Sequence, residues 1–391
     1  MRGIAVLALV AGACQEVQIY GDLDDFAGSG DAPDLRTPRR TDTIEQRLQP
    51  KVDVLWVIDN SGSMTEEQEK VAANFEAFTR FFVDSGIDWH IGAVTTDCGT
   101  LDDGSTGTGT GTGLSAECGK LVSVAGYPYI TPDVPAPEAM FRQLVRAGAG
   151  GSADEMGLLA TWRAIVPVTP QVEDHNRGFL RKNAALHIVV ISDEADSSPY
   201  PEFNMPEFTT YLRYQLKEPS GGVLPPVTFS SIVGPRPNGC RSQDGSGEAA
   251  AGLEYIEATN VIGGIFASIC TTDWYPVLEA IGLQAAGLRD EYFLTQLPVR
   301  DSIRVWVFDE TGRRDGLDVA TLEPDEDLAE ACDARGRQQC FAYRYDRQRN
   351  SIRTIDFLPA PSSDVSIRYE ILGEAGDGEE AASPEPEVDA G

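Results

Sequence analysis

The strongest structural constraint in this sequence is a continuous apolar run from Ala184 to Ser192, AALHIVVIS. A strand that is apolar on both faces is buried on both faces, as a central strand of a parallel sheet is. A second run of this kind, Val52 to Ile58, lies earlier in the chain. Around these runs, apolar β-rich segments alternate with segments of helical periodicity, which is the pattern of a parallel sheet covered by its crossover helices.

The order of these segments predicts an α/β fold class, with a doubly wound, mostly parallel sheet that has helices on both faces and is followed by a small antiparallel β module. We expect the α/β unit over residues 51–297, with a Gly/Thr-rich inserted loop at 97–120. Short alternating strands indicate the β module at 298–372. Residues 373–391 carry seven acidic groups and no basic one, so we expect an acidic disordered tail.

The N-terminal segment has the features of an export signal. Arg2 precedes an apolar stretch from Ile4 to Val10, and three small residues, Ala11-Gly12-Ala13, lead to Cys14. This resembles a bacterial lipoprotein signal, whose cysteine receives the lipid; a plain cleaved signal is the alternative. We therefore expect an exported lipoprotein of the cell envelope, with residues 1–14 ending at the lipidated cysteine and a flexible tether over 15–50. The second residue of the mature chain, directly after Cys14, would be Gln15 and not Asp, which favours the outer membrane.

The charge balance restricts the partners of the chain. It has 62 Asp and Glu against 31 Lys and Arg, a formal net charge of −31. Nucleic-acid binding rests on basic residues that neutralise phosphates, so we expect no nucleic-acid partner. No run reaches the roughly 18 apolar residues of a spanning helix. The N-terminal lipid is therefore the only membrane attachment that we expect.

Six cysteines follow Cys14, an even number in a chain that we expect to be exported. Disulfides are the default interpretation in an oxidising compartment, although sequence alone leaves the connectivity open. Nearness along the chain suggests three pairs: Cys98 with Cys118, Cys240 with Cys270, and Cys332 with Cys340.

The chemistry of the chain is concentrated in a D-x-S-x-S motif, Asp59-Asn60-Ser61-Gly62-Ser63, directly after the first apolar strand. One carboxylate and two hydroxyls at this spacing converge on one point and supply half of the oxygen shell of a hard cation such as Mg²⁺. Ligands of open α/β sheets bind at the carboxyl ends of the strands, so Asp193, which ends the central strand, is a natural fourth ligand. The alternative is that the turn only caps a helix.

Together these features resemble the von Willebrand factor type A domain with its metal-ion-dependent adhesion site. The resemblance rests on D-x-S-x-S after VLWVI, a Gly-Gly-Ser loop that opens a helix, and the apolar strand that ends in Ser192-Asp193. It covers about residues 51–297 and extends to exported bacterial lipoproteins with this domain. It implies a Rossmann-like fold and one bound Mg²⁺, or else Ca²⁺ or Mn²⁺. The implied ligands are Asp59, Ser61, Ser63, Ser152 and Asp193, with Asp154 as the alternative to Ser152.

The resemblance implies that the cation serves adhesion, because it keeps one coordination position open for a carboxylate of a protein partner. We expect no enzymatic activity: the sequence has no G-x-S-x-G elbow, and His90 and His187 lie inside apolar strands. Two rival functions remain. One is a metal-assisted hydrolase, and the other is a structural envelope or appendage component without an exchangeable ligand.

We predict that mass spectrometry of the membrane fraction will find a mature chain that begins at an acylated Cys14. A lipid anchor requires both cleavage and acylation. An unprocessed, soluble product with a free Cys14 thiol would contradict this expectation.

Overall fold

The computed structural model describes residues 38–82, 85–100, 113–151, 154–219, 224–242, 245, 247–308, 320–325, 328 and 341–371. Most strands in these ranges belong to two sheets, a five-stranded parallel sheet and a seven-stranded sheet that is mostly antiparallel. The other strands form two short pairs, Gly99–Thr100 with Gly113–Leu114 and Cys240–Arg241 with Glu248–Ala249.

In chain order, the strands are β1 (Arg39–Glu45), β2 (Lys51–Ile58), β3 (Asp88–Thr95), β4 (Gly99–Thr100), β5 (Gly113–Leu114), β6 (Ala185–Ser192), β7 (Val227–Val233), β8 (Cys240–Arg241), β9 (Glu248–Ala249), β10 (Phe266–Ser268), β11 (Glu291–Phe293), β12 (Arg304–Phe308), β13 (Ala320–Pro324), β14 (Phe341–Asp346), β15 (Ser351–Ile355) and β16 (Asp364–Glu370). The helices are α1 (Thr65–Ala73), α2 (Phe75–Thr79), α3 (Pro137–Leu144), α4 (Gly157–Ile165), α5 (Pro170–Asn176), α6 (Met205–Tyr214), α7 (Leu253–Ile262) and α8 (Tyr275–Ala286).

The parallel sheet has the strand order β10-β7-β6-β2-β3. Its central strand β6 is buried along its whole length, as expected for an apolar run with covered faces. Ile191 of β6 lies opposite Ile58 of β2 on one side and Ile232 of β7 on the other. The carboxyl ends of these three strands therefore meet at one edge of the sheet.

Two apolar clusters cover the two faces of this sheet because successive side chains of a strand point to opposite faces. Helices α1, α2, α3 and α8 pack on the face that carries Trp56, and helices α4, α6 and α7 pack on the face that carries Leu55. The Trp56 ring makes edge contacts with Phe78 and Phe141, at centroid distances of 5.2 and 5.5 Å. This packing holds α2 and α3 against β2, and Val71 and Ala72 of α1 belong to the same apolar cluster.

The larger sheet has the order β1-β16-β12-β13-β14-β15-β11, and only its β13–β14 pair is parallel. It has its own core of alternating buried residues, including Val305, Ile352 and Ile367. Its strands come from both sides of the parallel unit. Strand β1 lies in the segment expected to be a tether, and β11 lies inside the expected α/β unit.

The two edges of this larger sheet approach each other around the buried carboxylate of Asp42 in β1. Asp42 accepts hydrogen bonds from the Thr295 backbone N–H at 2.9 Å and the Thr295 hydroxyl at 2.7 Å, just beyond β11. The Tyr369 hydroxyl of β16 donates a third bond, at 2.7 Å. The sheet is thus curled into a nearly closed, barrel-like form.

The predicted fold class is therefore wrong. A doubly wound, mostly parallel sheet with a small appended module does not describe the chain, because the largest sheet of the described residues has seven strands and is mostly antiparallel. The cause is long-range pairing: β1 lies beside β16, with Arg39 opposite Glu370, and local periodicity carries no information about such a partner. In the ranges described above, no helix has the length and apolar character needed to cross a bilayer.

We predict that Asp42→Asn destabilises the fold in a pH-dependent way. Burial by itself would raise the pKa of Asp42, but hydrogen bonds from Thr295, Tyr369 and Arg40 hold that pKa below its ordinary value of 3.8. The ionised group therefore stabilises the fold above about pH 4, and this contribution disappears as the pH falls through the folded-state pKa. The variant should lose about 1–3 kcal/mol of unfolding free energy at pH 7.

Urea denaturation at pH 7 and pH 3 measures this effect. The difference between variant and wild type should shrink at the lower pH. Asp133→Asn, a change at an exposed loop carboxylate, should leave stability within about 0.5 kcal/mol at both values. A pH-independent difference for Asp42→Asn would contradict the assigned role.

Candidate metal centre

The D-x-S-x-S turn is built around the buried carboxylate of Asp59 at the end of β2. Asp59 Oδ1 accepts a hydrogen bond from the Ser61 backbone N–H at 2.8 Å. The hydroxyls of Ser61 and Ser63 lie 3.0 Å apart and are hydrogen-bonded to each other. One carboxylate and two hydroxyls thus converge, as the spacing of the motif predicts.

The end of β6 supplies the other side of the site. The Ser192 hydroxyl donates to Asp59 Oδ2 at 2.7 Å, and the Asp59 backbone N–H donates to the Ile191 carbonyl at 3.0 Å. The Ser63 side chain is hydrogen-bonded to Asp193. The structure therefore brings four of the predicted ligands together: Asp59, Ser61, Ser63 and Asp193.

A third loop is fastened to this turn from the side of α3. Gln68 Nε2 donates to the Asp59 carbonyl at 3.0 Å and to the Gly148 carbonyl at 2.8 Å, which joins the two segments. The Gly151 backbone N–H donates to the Asn60 carbonyl at 2.9 Å, and a Cβ at Gly151 would lie 2.6 Å from Asn60 Oδ1. A side chain at position 151 would therefore require the Asn60 side chain to move.

The continuation of this loop contains the fifth predicted ligand. Ser152 lies outside the described residues, so its position relative to Asp59 stays a prediction. Its alternative, Asp154, is near enough to raise the pKa of Glu194, after the larger effects of burial and of Asp59. The loop therefore leads toward the acidic cluster at the end of β6.

Burial of the Asp59 and Asp193 carboxylates is the largest electrostatic effect at the site. The pKa of Asp193 is raised to about 6, chiefly by burial and also by the negative charges of Asp59, Glu194 and Glu67, against the lowering effect of the Ser63 hydrogen bond. Burial also raises the pKa of Asp59, against its hydrogen bonds from Ser61 and Ser192. Asp193 Oδ1 is buried, and it has no hydrogen-bond partner among the residues that the structure describes.

Sequence reasoning missed a further carboxylate, Glu155. It is 1% exposed, and its pKa is raised to about 8 by burial and by the negative charge of Asp59. The Thr96 hydroxyl, at the end of β3, donates a hydrogen bond to it. The available signal was the acidic pair Asp154-Glu155 directly before α4, in the third loop that reaches the turn.

Asp196 has a structural role that the sequence did not indicate. Its carboxylate accepts hydrogen bonds from the backbone N–H groups of Leu158 and Ser198, each at 3.0 Å. Leu158 lies in the first turn of α4, where backbone N–H groups have no partner within the helix. Asp196 thus fixes the start of α4 to the loop that follows Asp193.

A small cavity of about 160 Å³ opens beside the cluster, and Ser63, Glu67 and Asp193 lie in its wall. The opposite wall includes Glu248 and Cys270. In addition, the Ala250 backbone N–H donates to the Asp193 carbonyl at 2.8 Å. The β8–β9 hairpin therefore borders the open side of the site.

Two disulfides lie near this region. Cys98 pairs with Cys118, and Cys240 pairs with Cys270, which links the β8–β9 hairpin to the segment after β10. These are two of the three pairs that nearness suggests. Cys332 and Cys340, the third suggested pair, and the predicted lipidation site Cys14 lie outside the described residues.

The residues present fit a hard divalent cation. Across the described ranges, no three His, Cys, Asp or Glu side chains form a group that could hold a metal ion, but the candidate set needs only two carboxylates, since its other members are hydroxyls. A buried carboxylate oxygen without a partner, next to two converging hydroxyls, is an incomplete oxygen environment. Oxygen donors of this kind select Mg²⁺, Ca²⁺ or Mn²⁺ rather than zinc.

Comparisons with known proteins give little guidance. No protein-family profile and no curated protein matches this chain. Among solved structures, this chain is similar to two structures of proximal thread matrix protein 1 from the mussel byssus. One is 11% identical, with a TM-score of 0.34 over 63% of this chain and 48% of that one. The other is 10% identical, with a TM-score of 0.36 over 64% and 50%. The chain thus spans about half the length of these structures.

We predict that Asp193→Asn stabilises the cation-free protein at neutral pH. The pKa of Asp193 is raised to about 6, so its ionisation as the pH rises from 5 to 7.5 costs unfolding free energy in the wild type. The asparagine has no such cost. In EDTA, the variant should therefore melt above the wild type at pH 7.5, and the gap should narrow at pH 5.

Differential scanning calorimetry measures both pH values, and Asp133→Asn serves as the exposed control. A variant that melts below the wild type at pH 7.5 in EDTA would contradict the view that Asp193 is a strained carboxylate.

Proposed function

We propose that this chain is a cation-dependent protein-binding module, anchored at the cell envelope by its N-terminal lipid. The observation that carries the proposal is the buried Asp193 Oδ1, which has no hydrogen-bond partner among the described residues and belongs to a side chain that lines a cavity together with Ser63. Burial of an ionised carboxylate without a partner lowers the stability of the fold, and a bound cation would remove this cost.

Charge balance supports binding of one divalent ion. Asp59 and Asp193 together offer two negative charges, so an ion held between them is neutralised and still has coordination positions to fill. A partner carboxylate can take one of these positions with little repulsion from these two groups. Glu67 and Glu248 also line the cavity, so an acidic partner would be repelled whenever the cation is absent.

The neighbouring side chains favour binding over turnover. Hydrolysis needs a group that exchanges protons with the substrate. The chain has three histidines, and each is engaged elsewhere: His90 with the Phe179 carbonyl, His175 with the Leu121 carbonyl and His187 with the Thr228 hydroxyl. Glu155 has a suitable pKa, but at 1% exposure it lies beneath the site instead of facing the cavity.

The partner class follows from the open coordination position and from the resemblance of the motif to the metal-ion-dependent adhesion site. We infer a protein that offers a carboxylate side chain to the ion. The export signal puts this encounter at the cell envelope, where millimolar Mg²⁺ or Ca²⁺ would keep the site loaded. The strand pair β8–β9, fastened by the Cys240–Cys270 disulfide, borders the surface that the partner would cover.

We predict that calorimetric titration of the full chain with Mg²⁺, Ca²⁺ or Mn²⁺ finds one binding site. Asp59→Ala should abolish uptake because it removes a charged ligand, and Ser63→Ala should weaken it less because the hydroxyl is neutral. Asp133→Asn is the matched control and should bind as the wild type does. At a cation concentration of 100 Kd, the wild type should gain about 2.7 kcal/mol of stability.

The partner is tested by pull-down from an envelope extract, with the full chain immobilised in Mg²⁺ or in EDTA. A protein retained by the wild type in Mg²⁺ alone, and lost in Asp59→Ala, is the expected result. Normal cation uptake by Asp59→Ala would leave the turn as a helix cap only. Turnover of a phosphoester, ester or peptide substrate that depends on Asp59 would instead establish the hydrolase.

A further inference from the structure

A second and larger cavity lies between the parallel sheet and the antiparallel sheet, with a volume of about 740 Å³. Its inner wall includes His187 and Thr228, near the amino ends of β6 and β7. His187 precedes Asp193 by six positions, which along a strand is roughly 20 Å. The cavity is thus at the opposite end of the sheet from the candidate metal centre, and its volume is that of a small-molecule site.

His187, one of the residues that line this cavity, has an unsatisfied hydrogen-bonding atom. The side chain is 3% exposed, and its Nδ1 is bonded to the Thr228 hydroxyl at 2.6 Å. Its Nε2 has no partner among the described residues. Burial, together with the nearby charge of Lys217, lowers the pKa of His187 to about 3, so the ring is neutral. A neutral, buried ring nitrogen without a partner is unusual in a folded protein.

The outer wall carries a positive charge in a strongly acidic chain. Three arginines, Arg289, Arg349 and Arg353, line the cavity with two acidic residues, Asp290 and Glu291. Glu291 Oε2 lies 3.0 Å from Arg349 Nη1 and 3.2 Å from Arg353 Nη2, and Arg353 Nε lies 3.8 Å from Asp290 Oδ2, so both acidic residues are paired with these two arginines. The guanidinium of Arg289 has no carboxylate partner in the described part of the chain. Donors therefore remain for an anion.

Apolar side chains line the part of the cavity between these two walls. Ile265, Leu283 and Leu288 line the cavity. At its rim, Phe293 is 57% exposed, and the Arg349 guanidinium lies 5.4 Å from the centre of its ring. An exposed aromatic ring beside an arginine is a combination that contacts flat, partly apolar ligands.

We propose that this cavity binds a small organic anion with an apolar body, whose acidic group contacts the arginines and whose second polar group satisfies His187 Nε2. The complementarity has three parts: net positive charge at the rim, apolar surface in the middle and one hydrogen-bonding atom at the inner end. This site is independent of the cation site and of its function.

The probe is 1-anilinonaphthalene-8-sulfonate, which combines a sulfonate, an apolar body and an N–H group. Its neutral counterpart, N-phenyl-1-naphthylamine, has the same body and N–H group without the charge. Fluorescence titration of the full chain should find one saturable site for the sulfonate, with at least tenfold weaker binding of the neutral compound. Equal affinities for the two compounds would overturn the proposal.

Variants locate the probe. The triple variant Arg289→Gln, Arg349→Gln, Arg353→Gln removes all three arginines that line the cavity. It should weaken sulfonate binding at least tenfold and change the neutral compound less than twofold. His187→Leu should weaken both compounds, and His187→Gln, which restores a polar atom, should recover part of the loss. Arg39→Gln, at an exposed arginine of β1, is the control.

If His187→Leu fails to fold, as melting would show, the arginine variant still decides the outcome. Binding that is unchanged in the arginine variant, or weakened equally by Arg39→Gln, would place the probe elsewhere and overturn the proposal.

Discussion

The carboxylate of Asp59 is the interaction on which this edge of the molecule depends. It is wholly buried at the end of β2, and its two oxygens are held by groups from different elements: the Ser61 backbone N–H in its own turn and the Ser192 hydroxyl at the end of β6. Gln68 of α1 binds the Asp59 carbonyl and the loop at Gly148. One residue thus sets the relation of two strands, a helix and a loop.

This arrangement has a cost, because the groups gathered around Asp59 are themselves acidic. The pKa values of Asp193 and Glu155 are raised to about 6 and about 8, in each case chiefly by burial and partly by the charge of Asp59. A purely structural site would pair such carboxylates with a basic side chain. The buried Asp53, at the other end of β2, is paired in this way: Arg181 Nε lies 2.7 Å from Asp53 Oδ1. The contrast between the two ends of one strand is the physical reason to infer an exchangeable ion.

The sequence was informative where the signal is local. Continuous apolar runs identified β2 and β6. The motif and the strands beside it predicted that Asp59, Ser61, Ser63 and Asp193 lie close together, and the structure has them in contact. The antiparallel sheet was underestimated because its closure joins Asp42 to Tyr369, a separation of 327 residues. No local pattern encodes such a pairing. Glu155 was missed for a similar reason, since its hydrogen-bond partner Thr96 lies 59 positions away, just beyond β3.

The central claim is that Asp59, Ser61, Ser63 and Asp193 hold one divalent cation. It is tested most directly by anomalous X-ray scattering from crystals grown in Mn²⁺. The account predicts a single peak in this cluster, with Asp193 Oδ1 and the two serine hydroxyls either within about 2.0–2.6 Å of the ion or hydrogen-bonded to a water that coordinates it. A structure in millimolar Mn²⁺ with no peak here, and with the Ser61–Ser63 hydrogen bond intact, would contradict it.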